Sequence, residues 1–412
     1  MIANRRLRPN SDDRELRLWK VGRALTLTFA AAVLVAGGIF YGLVYLLDFQ
    51  EIDTTKKLDT KTLFDLVKLS FGVVAGAGAL VALVVAYRRQ RVDEAGAHRE
   101  ATRLHTERFS QAVDKLGSDS PAVRLGGVHA LAGLADDAPD DNLRQTCIDV
   151  LCAYLRLPHT PDPGTAELEN HHLYLALREV RHTILRLIGD HYRRPEGTHG
   201  SWQGCDLDLT GVTIDGNMDF TGARFTRGTV TFSGATFSSS TVDFAFATFS
   251  AGCSVLFTDA TFSAGCSVSF IGATFSGGPA YFGGAAISGG ALYFGETTIS
   301  DTTVYFGDAT ISDGMVYFGH ATISNSTVTF GDAAISGGRV TFDHATISSD
   351  SSVYFTRAAI SSDTVSFNGT TISGGMLNFS DTTGPAPAGL LTAVGSPVPT
   401  TVILPQAWTP IP

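Results

Sequence analysis

One spacing governs the second half of this 412-residue chain: large apolar residues recur at alternating intervals of five and seven. Phe225, Phe232, Phe237, Phe244 and Phe249 fall 7, 5, 7 and 5 apart. Phe282, Ile287, Phe294, Ile299, Phe306, Ile311, Phe318, Ile323, Phe330, Ile335 and Phe342 continue the alternation without a break. Five and seven together make a repeat of twelve, stretched by one where Cys253, Cys266 and Asp350 lie. Two positions before each anchor stands a slimmer apolar residue: Val304, Val316, Val328 and Val340 before Phe, Ala309, Ala321, Ala333 and Ala345 before Ile. In an extended segment, positions i−2 and i face one side while i−1 faces the other. Segments this short cannot hold a sheet alone, but the Ser-Asp-Gly and Ser-Gly-Gly turns between them let the chain wind and stack. Identical anchors then superpose as columns of Phe and Ile inside a solenoid. A sandwich needs longer strands, and a propeller a period of roughly 40 residues.

Four sides of five, seven, five and seven make a coil of twenty-four and about seven coils in all. The rival is a flat two-sided coil of twelve, which leaves little room for a Phe and an Ile at every level. His320 and His344 separate the two: they are direct neighbours in the larger coil, whereas a coil of twelve to thirteen brings Cys253 and Cys266 together.

Gly234-Ala235-Thr236-Phe237-Ser238 and Gly222-Ala223-Arg224-Phe225-Thr226 resemble the pentapeptide-repeat pattern, a small residue two before a central Leu or Phe. The resemblance covers residues 205 to 380, with steps of five and seven alternating where the family runs fives consecutively. Arg108-Phe109-Ser110-Gln111-Ala112-Val113 through Arg124-Leu125-Gly126-Gly127, and Val150-Leu151-Cys152-Ala153-Tyr154-Leu155-Arg156, look like the helical segment of membrane-anchored bacterial members. The family implies a right-handed, four-sided β-helix. Some soluble members mimic DNA and bind gyrase.

Two uncharged runs precede the repeat. Ala24–Leu47, following a basic segment (residues 1–23), spans about 36 Å as a helix, and Leu69–Tyr87 about 28 Å. Each is long enough for a hydrocarbon core of about 30 Å. The first is too long, and starts too late, for a signal peptide. Arginines and lysines crowd before the first run and after the second, so both ends are expected on the cytoplasmic side of the inner membrane, with the loop 48–68 outside. Gly38/Gly42 and Gly72/Gly76 form one G-x-x-x-G in each run, a helix-packing motif or merely the glycine content of membrane helices. The fold class expected is therefore two transmembrane helices, a small all-α unit, and an all-β right-handed β-helix.

Residues 88–192 have helical periodicity. Arg88–Leu116 continues the second run, and Ser120-Pro121 opens a helix with Val123, Gly127, Leu131 and Leu134 on one stripe. Leu143, Cys147, Ile148, Leu151, Tyr154 and Leu155 form a second stripe. Leu173, Leu177, Val180, Ile184, Leu187 and Ile188 form a third, with Gly189 as a candidate stop. His171, His172, His182 and His191 lack carboxylates at ligand spacing, and no metal or cofactor is expected.

Hydrophobic residues make up 44% and charged residues 17% of the chain. That balance excludes a disordered chain. The net charge of −10 argues against nucleic acid as a partner. Five cysteines without a C-x-x-C suggest neither disulfides nor a zinc ribbon, and fit a reducing compartment. Residues 201–381 carry 15 acidic and four basic groups, a net of −11 on a rod of roughly 35 Å. DNA of that length has about twenty charges, so charge mimicry is the weaker alternative. Tyr281, Tyr293, Tyr305, Tyr317 and Tyr354 form an outward series, a contact surface for a protein partner or ordinary cross-strand pairing. His320 and His344 share a turn position with Glu296, Asp308 and Asp332, an acidic-histidine ladder or simply exposed turns. Residues 382–412 hold seven prolines and no charge, a cap over the last coil or a free tail. No G-x-S-x-G, P-loop or H-E-x-x-H occurs. The expectation is a non-catalytic, membrane-anchored scaffold that binds the bilayer, a protein and, as a further possibility, a second copy of itself.

Overall fold

A computed structural model of the chain describes residues 60–158, 162–348 and 350–408, with short helical stretches between residues 26 and 38. The chain divides into two units, the first ending at Ala101 and the second starting at Thr102. Helix α1 (Thr60–Leu116) is 57 residues long.

The expectation of two spanning helices, and with it a multi-pass protein of the inner membrane, is overturned. Among the described residues no helix is long and apolar enough to cross a membrane. Leu69–Tyr87 is continuous with Arg88–Leu116, as the sequence led one to expect. It lies inside α1, which runs on past Arg88 into a polar stretch. Most of Ala24–Leu47, including Gly42, lies outside the described residues. At Gly38, Gly72 and Gly76 a Cβ would meet nothing within 4 Å.

In the second unit, the end of α1 packs with α2 (Pro121–Asp136), α3 (Asp141–Arg156) and α4 (Leu168–Arg193). Pro at the first position of α2 and the Asp140 side chain accepting the Leu143 N–H at 2.9 Å open their helices at low cost. The buried stripe of α2 runs through Gly127, Val128, Leu131 and Leu134, while Val123 is exposed. Gly127 meets the end of α1 so closely that a Cβ would lie 2.6 Å from the Leu116 nitrogen.

From Leu207 the chain winds as a right-handed-type parallel β-solenoid of about eight turns. Strands of two or three residues pair in register one coil apart: Thr303 with Thr327, Val304 with Val328, Tyr305 with Thr329. Those partners are twenty-four apart in sequence, so the larger coil is the one formed. His320 and His344 stack with ring centroids 5.1 Å apart, while Cys253 stands in register with Gly228. Inside are four columns of strand residues: one with Val304 and Val328, one with Val316 and Val340, one with Ile311 and Ile335, one with Ile299 and Ile323. Between them rise two phenylalanine stacks. Phe282, Phe306 and Phe330 lie 4.6 and 4.8 Å apart and nearly parallel; Phe294, Phe318 and Phe342 lie 4.7 and 4.8 Å apart. The stacks meet edge to face, Phe306 against Phe318 at 6.3 Å and 85°. Such offset and T-shaped contacts add to area burial.

Each Phe of these stacks starts a tight turn closed by the N–H three residues later, as Ala321 to the Phe318 carbonyl at 3.0 Å. The residue two after the Phe has positive φ, normally a glycine position. Here it is also Glu296, Asp308, His320 or His344 (φ 56–59°). The coil above supplies compensation, since the His320 N–H donates to the Asp343 carbonyl at 3.0 Å.

Helix α4 closes the first coil. Tyr192 is fully buried against Phe220 and Phe225 at 5.7 and 5.5 Å. Gly189 is not a helix stop: α4 continues to Arg193. A Cβ at Gly189 would sit 2.6 Å from the Asp219 carbonyl oxygen, so its lack of a side chain lets the helix touch the coil. At the other end, Val402 pairs with Leu377, and Trp408 packs edge-on to Phe379 at 5.4 Å and donates to the Gly384 carbonyl at 2.9 Å.

Candidate functional site

The outward tyrosines do not form one series. Residues one repeat apart face opposite ways, and only those two repeats apart are neighbours. Tyr281 and Tyr305 pair at 6.4 Å on one side, in the column that also carries Tyr354, while Tyr293 and Tyr317 pair at 6.5 Å on the other. Tyr305 is exposed and the other four are half-buried. A Cβ at Gly307 would collide with Tyr305 Oη, and one at Gly319 with Tyr317 Oη. The rings therefore lie over backbone bare of side chains.

The acidic-histidine ladder is split in the same way. Glu296, His320 and His344 belong to one corner, Asp308 and Asp332 to the other, where Arg357 Nε donates to Asp332 Oδ1 at 2.7 Å. Among the described residues no three metal-ligating side chains gather. The helical-unit histidines are engaged elsewhere. His171 meets Asp162 at 2.7 Å and tilts against His172, and His182 meets Asp215 at 3.3 Å. His191 lies between the Leu187 carbonyl (2.6 Å) and Asp136 (3.2 Å), stacked on Trp202 at 4.2 Å. Burial opposes ionisation of Asp136, but His191, Trp202 and Arg194 outweigh it and hold the carboxyl below its ordinary range.

One surface escaped the sequence reading. Thr248, Thr274, Thr298, Thr322, Thr346 and Thr371 stand in unbroken register on one face. Beside them runs a serine row that includes Ser250, Ser276, Ser300 and Ser324. The signal was the T-x-S triplet recurring every second repeat; in the intervening repeats alanine often replaces the threonine, as at Ala286, Ala334 and Ala359.

A second feature lies where the helices meet the first coil. Arg156 pairs with Asp208, Arg193 with Asp219 at 2.6 Å, and Arg178 with Asp215 at 3.2 Å. Burial pushes the Asp215 carboxyl up, but His182 and Arg178 more than reverse it and hold it at about 2. Beside Asp215 opens a cleft of about 310 Å³, walled by Tyr154, Leu173, Leu177 and the three arginines Arg124, Arg178 and Arg181.

A stacked parallel coil with a helical unit on one end places the chain among the β-solenoid repeat proteins. No protein-family model matches it, and no curated protein matches it.

Proposed function

We propose that the chain is a non-catalytic protein-interaction module whose solenoid, of pentapeptide-repeat type, is the recognition surface. The observation that carries this reading is the six-threonine column with its serine row, an even hydroxyl face held on a stiff core. Solenoids present extended surfaces of this kind to partners. Pentapeptide character is supported by the two-residue offset between the small and large inward residues and by the tight turn after each stacked Phe. Charge mimicry of DNA, directed at an enzyme such as gyrase, is the alternative. It is the weaker one because acidic groups sit at two separate corners and Arg357 neutralises Asp332.

The test is in-cell crosslinking of the full-length protein against a variant carrying Thr298→Lys, Thr322→Lys and Thr346→Lys. A stoichiometric protein partner lost in the variant supports the reading. Unchanged partners, or self-crosslinks alone, count against it, and inhibition of gyrase supercoiling would shift the reading to mimicry.

A further inference from the structure

The cleft beside Asp215 is a candidate site that the solenoid reading leaves unused. Arg181 on α4 is 6% exposed, yet among the described residues it pairs with no carboxylate. Its Nη1 donates to the Leu155 carbonyl at 2.9 Å and its Nη2 to the Thr213 carbonyl at 3.2 Å. Its Nε has no partner. Burial lowers the guanidinium's hold on its proton, and the nearby Asp215 charge only partly offsets it. Of the two carboxylates that line the cleft, Asp215 is occupied by Arg178 and His182.

Arg124 on α2 enters the same cleft, and it too has only neutral partners. Its Nε donates to the Ser118 carbonyl and its Nη1 to Tyr154 Oη at 3.2 Å. Glu167, at the mouth, accepts from Asn170 at 2.7 Å. Two guanidiniums with no ion-pair partner of their own line one cavity, which also holds Asp215, Glu167 and Asn170 and has Leu157, Pro163, Leu173 and Leu177 as its apolar walls. Leu157 and Leu173 are exposed at 57% and 47%. A buried charge with no opposite partner is costly, and a fixed pair of forked donors suits a planar carboxylate.

We infer that this cleft binds a carboxylate carried on a short apolar tail, with Arg124 and Arg181 drawing the anion and Leu173 and Leu177 covering the tail. Volume sets the size. The cleft offers about 310 Å³. At about 30 Å³ per heavy atom, it holds roughly ten atoms, a carboxylate and about seven carbons. A medium-chain acyl acid and the apolar C-terminal residue of a peptide both have this chemistry.

Isothermal titration calorimetry of the full chain with octanoate, N-acetylleucine, octan-1-ol and octylamine tests it. One or both carboxylates bind, and the alcohol and amine do not. Octanoate alone identifies an acyl acid as the source, and N-acetylleucine alone a peptide terminus. Arg124→Gln weakens the bound carboxylate about tenfold, or about 1.4 kcal/mol. Leu173→Glu, at an exposed position, sets a competing anion in the mouth and removes binding without moving the unfolding midpoint. Octan-1-ol binding as tightly as octanoate overturns the inference. So does the absence of heat from both carboxylates up to about 10 mM, or Arg124→Gln binding like the parent.

Discussion

Replacing Phe306 by alanine removes one rung from the middle of an aromatic stack. Phe306 is fully buried, parallel to Phe282 at 4.6 Å and Phe330 at 4.8 Å, and edge-on to Phe294 at 6.1 Å and Phe318 at 6.3 Å. Emptying a Phe-sized volume in a packed core costs about 3–5 kcal/mol. Here the walls are parallel strands bonded to the coils above and below, so they collapse little and the upper half, about 4–5 kcal/mol, applies. Phe306→Ile divides the cost. It keeps most of the apolar area and forfeits four ring contacts, so with each at the low end of its range, about 0.5 kcal/mol, the expected cost is about 2 kcal/mol. Phe379→Ala, near the tail, loses a single parallel neighbour (Phe355, 5.0 Å) and should cost less than Phe306→Ala. Urea denaturation followed by circular dichroism reads all three. Because repeat arrays need not unfold in one step, midpoints are compared at matched slope. If Phe306→Ala cost under about 1 kcal/mol, or Phe379→Ala cost more than Phe306→Ala, the stacked column would not be what holds the coils together.

Gly189→Ala drives a methyl into the Asp219 carbonyl and should destabilise by about 1–3 kcal/mol, whereas Gly126→Ala, with open space around it, is neutral or stabilising by thermal melts. Asp215 is depressed from 3.8 to about 2, so its contribution is fully present above about pH 4 and is lost as pH falls through about 2. Asp215→Asn therefore costs about 2 kcal/mol at neutral pH, and the gap to the parent closes in that acid window. Burial raises the Cys147, Cys253 and Cys266 thiols to about 11 and Cys152 to about 12. Iodoacetamide at pH ~8 should label these four only after denaturation, a result that rapid labelling of the native protein would refute.

The solenoid was legible because its core repeats a single inward pattern, and room for Phe306 and Ile311 at one level selected the larger coil. The count fell short, at about seven turns against about eight, because the first level is built from Leu207, Leu209, Ile214 and Met218. The last gains Val402 and Trp408 after a proline-rich excursion, so neither end carries the Phe signature. The tyrosines share one period, and a period of half a coil does not say which side a residue faces. The cleft was hidden for another reason. Arg178 and Arg181, three apart on α4, were visible as neighbours, but Arg124 reaches them only through the packing of α2, which no local pattern encodes.

Two repeats per turn give the rod a phase. Adding or deleting a full coil lengthens or shortens it and leaves every face where it was. A change of a single repeat is equally acceptable to the core, because the two phenylalanine stacks can exchange places, yet it turns everything beyond it through half a revolution. The tail that folds over the last coil would then leave from the opposite side. Repeat number can thus change in the smaller step while the inward pattern is kept, yet the side on which the far end points is reversed, so odd and even arrays of this kind are different objects to whatever must touch both ends.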